Sequence, residues 1–309
     1  MNSQSNAMPD SFGAQPVAPA PLTPTRPFYW SVRRELWEYR SIYLAPLAIA
    51  GVILFSFLFV LAHLPETVRN AMGLDPMQQR HAIAHSFELA AALIMGPAFI
   101  VSIFYSLDCL YGERRDRSIL FWKSLPVSDL TTVLAKATVP LVILPILAFV
   151  ITLATEAIML LLSSVVLAAK GLSIATVWDV LQPFPVMGAL LYHLVTIHML
   201  WYAPLYAWLL LISAWARRAP FLWAVLPPLA IGIFERIAFH TSYFADFLAN
   251  RVSGGREAVD SMQGDIPIHP GVHLTPGLFL ATPGLWGGLI FAAIFLVAAA
   301  RIRRSRGPI

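Results

Sequence analysis

Several residues stand at spacings that could do chemistry. His81 and His85 are four apart with Glu88 close behind, so on a helix the two imidazoles share a face and could ligate a metal. No further ligand group lies nearby with matching spacing, and the other reading is a part-solvated pair at a membrane surface; no metal is expected. His193 and His198 are five apart and do not share a face well, so they read as bundle residues. Cys109 is the only cysteine. It can form no intrachain disulfide, and within an apolar run it reads as a small buried residue rather than a nucleophile.

Carboxylates inside apolar runs raise a functional hypothesis by default. Glu156 lies beyond Lys136 by a stretch of about 30 Å on an ideal helix. It could line a substrate path or reach lipid headgroups. Glu235 and Arg236 are adjacent near the end of another run and face different ways on a helix, so a mutual ion pair is not expected. Nucleotide chemistry lacks its motif. A phosphate-binding loop needs Gly-x-x-x-x-Gly-Lys-Ser/Thr, whereas the lysines are Lys123, Lys136 and Lys170, none preceded by glycine. The chain is expected to hydrolyse no ATP itself, to perform no covalent chemistry and to need no cofactor.

The elements that would hold these residues are set by composition. Of the 309 residues, 58% are hydrophobic and 12% charged, with mean hydropathy +0.70. Soluble domains carry about 25% charged residues, so this apolar excess must face lipid. The net charge of +4 could suggest a nucleic-acid partner. The basic residues instead sit in short clusters beside apolar runs, the pattern of membrane topology signals, and no nucleic acid is expected.

Six stretches are long enough to span, near 42–63, 87–108, 137–165, 185–215, 220–240 and 279–300. About 20 residues cross the hydrocarbon, so the third and fourth must tilt, kink or protrude, and Pro140, Pro145 and Pro204 are candidate kinks. The expected fold is therefore an all-α, polytopic membrane protein. With the N-terminus inside, fifteen of the 21 Lys and Arg fall on cytoplasmic segments, which places both termini in the cytoplasm.

Residues 1–27, rich in Pro, Ala, Ser and Gln, lack a continuous apolar core and read as a disordered cytoplasmic tail rather than a signal peptide. Residues 28–40 form an amphipathic helix on paper. Phe28, Tyr29, Val32, Leu36 and Tyr39 share one face, Ser31, Arg34, Glu35 and Glu38 the other, with Trp30 and Trp37 at the border. It is expected to lie in the membrane interface. An outer loop, 241–278, opens with TSYFADFLANRV, whose Tyr243, Phe244, Phe247, Leu248 and Val252 could form a short surface helix. Glycines and prolines follow.

The cytoplasmic loop 109–136 is the most distinctive segment. A charge cluster from Glu113 to Arg117 precedes Ile119, Leu120, Phe121 and Trp122. Leu125-Pro126 ends that piece, and Ser128 or Asp129 could cap the next helix. Consecutive large apolar residues outside a span mark a protein or membrane contact. Physics alone leaves open a docking helix or one lying along the headgroups.

The chain resembles the permease subunits of type-2 ATP-binding cassette (ABC) exporters. The resemblance is carried by Glu113-Arg114, Ser118-Ile119-Leu120, Ser124-Leu125-Pro126-Val127-Ser128 and Lys136, and by the turn Ala214-Trp215-Ala216-Arg217-Arg218-Ala219-Pro220. It covers 28–305, the expected permease domain. It implies that the loop docks a separate ATP-binding cassette ATPase subunit through Tyr111, Glu113, Arg114, Arg115, Arg117, Phe121, Trp122 and Leu125. Phe121 and Trp122 would be the apolar anchors and the arginines would set register. It also implies a second permease chain, as a homodimer or heterodimer, export as the direction, and an inner-membrane location. Rival readings are a membrane-embedded metal-dependent enzyme using His81 and His85, and an ion-coupled secondary transporter.

Overall fold

Six helices are long and apolar enough to cross a membrane: Ser41–Ala71, Pro76–Arg115, Asp129–Ala169, Ala175–Trp201, Pro220–Phe239 and Pro283–Ser305. The protein is all-α and polytopic, as its composition demands. The computed structural model describes residues 26–254, 262–263, 273–274 and 276–309. The tail expected at 1–27 falls almost wholly outside these residues, as does most of 255–275.

In chain order, α1 (Pro27–Glu38) precedes α2 (Ser41–Ala71) and α3 (Pro76–Arg115). The latter two outrun the spans expected from hydropathy, and only four residues join them. Asp75 starts α3, accepting from the amides of Met77 and Gln78, with Pro76 in the first turn where its missing N–H costs nothing. The short α4 (Ile119–Ser124) follows, then α5 (Asp129–Thr138). Ser128, not Asp129, caps α5 by accepting from the Thr131 amide at 3.0 Å.

The third span departs from α-helical hydrogen bonding where its prolines fall. A π-helix, Val139–Ile143, joins α5 to α6 (Leu144–Ala169). Pro140 and Pro145 cannot donate backbone hydrogen bonds, and the Leu144 amide reaches back five residues to the Val139 carbonyl. At the far end Gly171, at φ +68°, closes α6. Leu172 N–H then bonds the Leu167 carbonyl at 2.9 Å and Gly171 N–H that of Ala168 at 3.0 Å, the paired bonds of a Schellman helix end.

Next come α7 (Ala175–Leu181), α8 (Pro183–His193) and a second π-helix, Leu194–Trp201, which leads into α9 (Ala203–Trp215). Only Tyr202 interrupts the last two, two residues before Pro204. Then α10 (Pro220–Phe239), α11 (Tyr243–Val252), α12 (Pro276–Ala281) and α13 (Pro283–Ser305) complete the chain. The two-residue segments Met262–Gln263 and His273–Leu274 pair antiparallel.

The interior divides into clusters along the bundle. One gathers Ile42, Ile94, Tyr105, Leu110, Leu144, Leu210 and Ala299 from α2, α3, α6, α9 and α13. A second, toward the other end, gathers Phe57, Val68, Phe87, Met159 and Val177. Small residues Ala203, Ala207 and Ala292 let α9 and α13 approach closely. By contrast, Ala224 is the only buried residue of α10, and the outward-facing Phe234, Ile237 and Phe239 suit contact with lipid.

Candidate functional site

One end of the bundle encloses a set of charged side chains from four separate elements. Lys136 of α5 is fully buried, with Nζ 2.9 Å from both carboxylate oxygens of Glu35 in α1 and 3.2 Å from Glu113 Oε1 in α3. Glu113 Oε1 also accepts from Arg34 Nη2 at 2.8 Å, and its Oε2 from Arg303 Nη2 of α13 at 3.2 Å. Arg34 pairs in turn with Glu35, and Arg303 with Asp129. Tyr105 donates to Glu35 Oε2 at 2.8 Å.

Three cations thus meet three carboxylates. The balance matters, because an unpaired charge at such depth would cost several kcal/mol, on the order of 3–5 when one partner is removed. Arg34 shows the same balance in its ionisation. Burial works against its guanidinium, but the Glu35 and Glu113 carboxylates more than offset that and raise it above the ordinary arginine value. Glu38, at the rim, is pushed above the usual carboxylate range by burial, with Lys136 pulling the other way.

The node reaches the α4 loop through two contacts. The Arg34 guanidinium stacks 4.0 Å from the Trp122 ring centroid. Ser118, preceding α4, donates to the Glu113 carbonyl at 3.4 Å. Lys123 also donates to the Arg306 carbonyl at 2.9 Å, fastening α4 to the end of α13.

Arg114 makes a second buried tie. It donates to the carbonyls of Ala214 and Ala216, at the C-terminal end of α9 where helix carbonyls lack intrahelical partners. Two of the segments that carry the family resemblance, Glu113-Arg114 and the 214–220 turn, are therefore in direct contact. Ser213 adds to the joint by accepting from the amides of Leu110 and Tyr111.

The eight residues expected to face a partner separate into two groups. Glu113 and Arg114 are buried in the bundle, so their charges serve internal ties and not an outer contact. Trp122 is half-covered beneath Arg34, and Tyr111 is also partly covered. Arg115, Arg117, Phe121 and Leu125 are exposed; Arg115 pairs with Asp116 at 2.9 Å. Phe121 is 59% exposed and its neighbour Leu120 60%, while Ile119 is buried and anchors α4 from beneath. Leu120, absent from the expected set, belongs to the outward patch.

The helical wheel of α1 separated the right residues but not their surroundings. The face bearing Arg34 and Glu35 turns into the protein, with Glu35 buried, while Phe28, Tyr29, Trp30 and Trp37 are exposed. Lys136 and Glu113 supply the reason, because their charges need counterions that α1 carries. Sequence reasoning missed Arg34, Glu35, Asp129, Lys136 and Arg303 as a set. The available signal was Lys136 itself, a cation at the start of an apolar run that can be dry only when paired.

The remaining candidates lie elsewhere. His81 and His85 are exposed on α3, and Glu88 faces Arg80 at 3.8 Å instead of joining them. His193 and His198 do approach, with ring centroids 5.4 Å apart, because the π-helix shifts the register between them. Cys109 is buried. Glu235 caps α11, accepting from Thr241 Oγ1 and the Phe244 amide, each at 2.8 Å. Glu156 lines a cleft described below.

Every charged group of the node is held by an ion pair, an arrangement that suits a mechanical joint between helices. Comparison with protein-family models, curated proteins and solved structures gave no match.

Proposed function

We propose that the chain is the membrane-spanning permease subunit of an ABC exporter, with α4 as the element that receives force from a separate ATPase subunit. The observation that carries this reading is the route from surface to bundle. Exposed Leu120 and Phe121 sit on a short helix whose Trp122 stacks on Arg34, and exposed Leu125 directly follows it. Arg34 in turn belongs to the node that joins α1, α3, α5 and α13. A push on α4 would be shared by three spans at once, since paired charges hold them at one point.

An apolar patch of this kind on a polar end is a natural protein contact. In this reading both termini and α4 lie in the cytoplasm, the membrane is the inner membrane of a bacterium, and two permease chains enclose the pathway. The sequence supports the division of labour, because the chain has no phosphate-binding loop.

Gentle detergent extraction from native membranes, followed by mass spectrometry of what remains bound, tests the proposal. A stoichiometric subunit with a phosphate-binding loop is the expected result, and it should be lost in Leu120→Ser/Phe121→Ser. A chain that emerges alone, with crosslinking before extraction also giving no such subunit, contradicts it.

A further inference from the structure

The Glu156 cleft is a separate feature. It has a volume of about 220 Å³ and is walled by α3, α6, α7 and α8. Its lining is mostly apolar, including Phe87, Trp178 and Phe184, with Arg80, Glu88 and Glu156 as the charged members. Glu156 lies 20 residues beyond Lys136, about 30 Å along an ideal helix, so the cleft is at the other end of the bundle from the node.

The charges in the cleft are unequal. Arg80 donates to the Val180 carbonyl at 3.0 Å and lies 3.8 Å from Glu88. Glu156 has no hydrogen bond or ion pair among the described residues. Two carboxylates therefore stand against one guanidinium, and the guanidinium is already engaged. A carboxylate beside aromatic rings in an apolar recess is complementary to a cation with an apolar body. It is poorly suited to an anion.

The volume sets the shape of that cation. Sites for whole drug-sized ligands run from about 300 Å³ upward. This cleft can hold a headgroup and a few carbons, with a longer chain left in the surrounding lipid.

We propose that the cleft lined by Glu156, Trp178 and Phe184 binds the ammonium group of an amphiphile. Glu156 is its counterion and the aromatic rings face its methyl or methylene groups. The ammonium can belong to a soluble amphiphilic amine or to an aminophospholipid headgroup. The inference rests on the cleft alone and not on the ATPase reading. A protein that bound the ammonium but no ATPase would defeat that reading and leave this one standing.

The test uses purified full-length protein in a neutral maltoside detergent, with radiolabelled decyltrimethylammonium as the probe in a scintillation proximity assay. Saturable binding is expected, weakened by about tenfold or more in Glu156→Gln, largely retained in Glu156→Asp, and not competed by decyl sulfate. Size-exclusion profiles matching the wild type show that each variant is folded. Displacement by added phosphatidylethanolamine but not by phosphatidylglycerol would support the site and identify a lipid headgroup as its occupant. Saturable binding without such displacement would support it with a soluble amine. Equal binding to wild type and Glu156→Gln, or equal competition by decyl sulfate, would overturn the proposal.

Discussion

Lys136 Nζ lies 2.9 Å from both carboxylate oxygens of Glu35, a residue 101 positions away, and neither side chain reaches solvent. The pair fixes α1 against the entry of the third span. Glu113 and Arg303 extend it to the second and sixth spans. Charges so placed hold a geometry more than they add stability, because desolvation offsets much of their attraction. Breaking the balance is another matter.

Lys136→Met leaves Glu35 and Glu113 short of a cation. It should destabilise the protein by about 3–5 kcal/mol, the cost of one uncompensated buried charge. Glu35→Gln/Lys136→Met restores charge balance and keeps an acceptor for Tyr105, so it should unfold at a higher temperature than Lys136→Met alone. Thermal unfolding in detergent measures both. Simple additivity of the two single changes would show that the residues do not act as a pair.

Gly288 of α13 is needed by Arg251 of α11. A Cβ at 288 would lie 1.7 Å from Arg251 Nη2. The guanidinium would have to leave the Gly284 carbonyl, 3.0 Å away, and its stacking on Trp201, 4.3 Å from the centroid. Gly288→Ala should therefore destabilise the wild type. In an Arg251→Ala background the clash is gone, and the same change should be neutral or should stabilise by roughly 0.5–1 kcal/mol, the helix preference of alanine over glycine. A double-mutant cycle on thermal unfolding reads the difference.

Glu38 gives a pH-dependent prediction. Burial raises its carboxyl above the ordinary glutamate value of about 4.5. A carboxyl raised in the folded state disfavours folding once ionised, and the penalty disappears when pH falls below its unfolded value. Glu38→Gln should therefore unfold at a higher temperature than wild type near neutral pH, with the gap narrowing as pH approaches 4.5. A variant that unfolds at a lower temperature than wild type near neutral pH, with the deficit vanishing on acidification, would assign Glu38 a favourable ion pair with Arg34 instead.

Much of the fold was legible because lipid imposes a simple rule on composition. Six apolar runs became six helices able to span, and Pro140 and Pro145 fell within and just after the π-helix of the third. The site was only half legible. Glu113, Arg114 and Lys136 stood among the residues that carry the family resemblance, but no local pattern says that Lys136 meets Glu35 instead of lipid phosphate. That choice depends on how α1 folds back over α5, a contact between distant segments. The same limit applied to α4. Consecutive Leu120, Phe121 and Trp122 marked a contact surface, yet only packing separates the outward Leu120 and Phe121 from Trp122, which lies under Arg34.

The most direct measurement is site-specific photocrosslinking in native membranes. A photoreactive phenylalanine analogue would replace Phe121, and separately Phe234 of α10, which is equally exposed on the opposite kind of surface. The account predicts a crosslink from position 121 to a subunit with a phosphate-binding loop, and none to that subunit from position 234. Crosslinks from position 121 to lipid alone would contradict it, and would make α4 a headgroup-lying helix with no ATPase to receive.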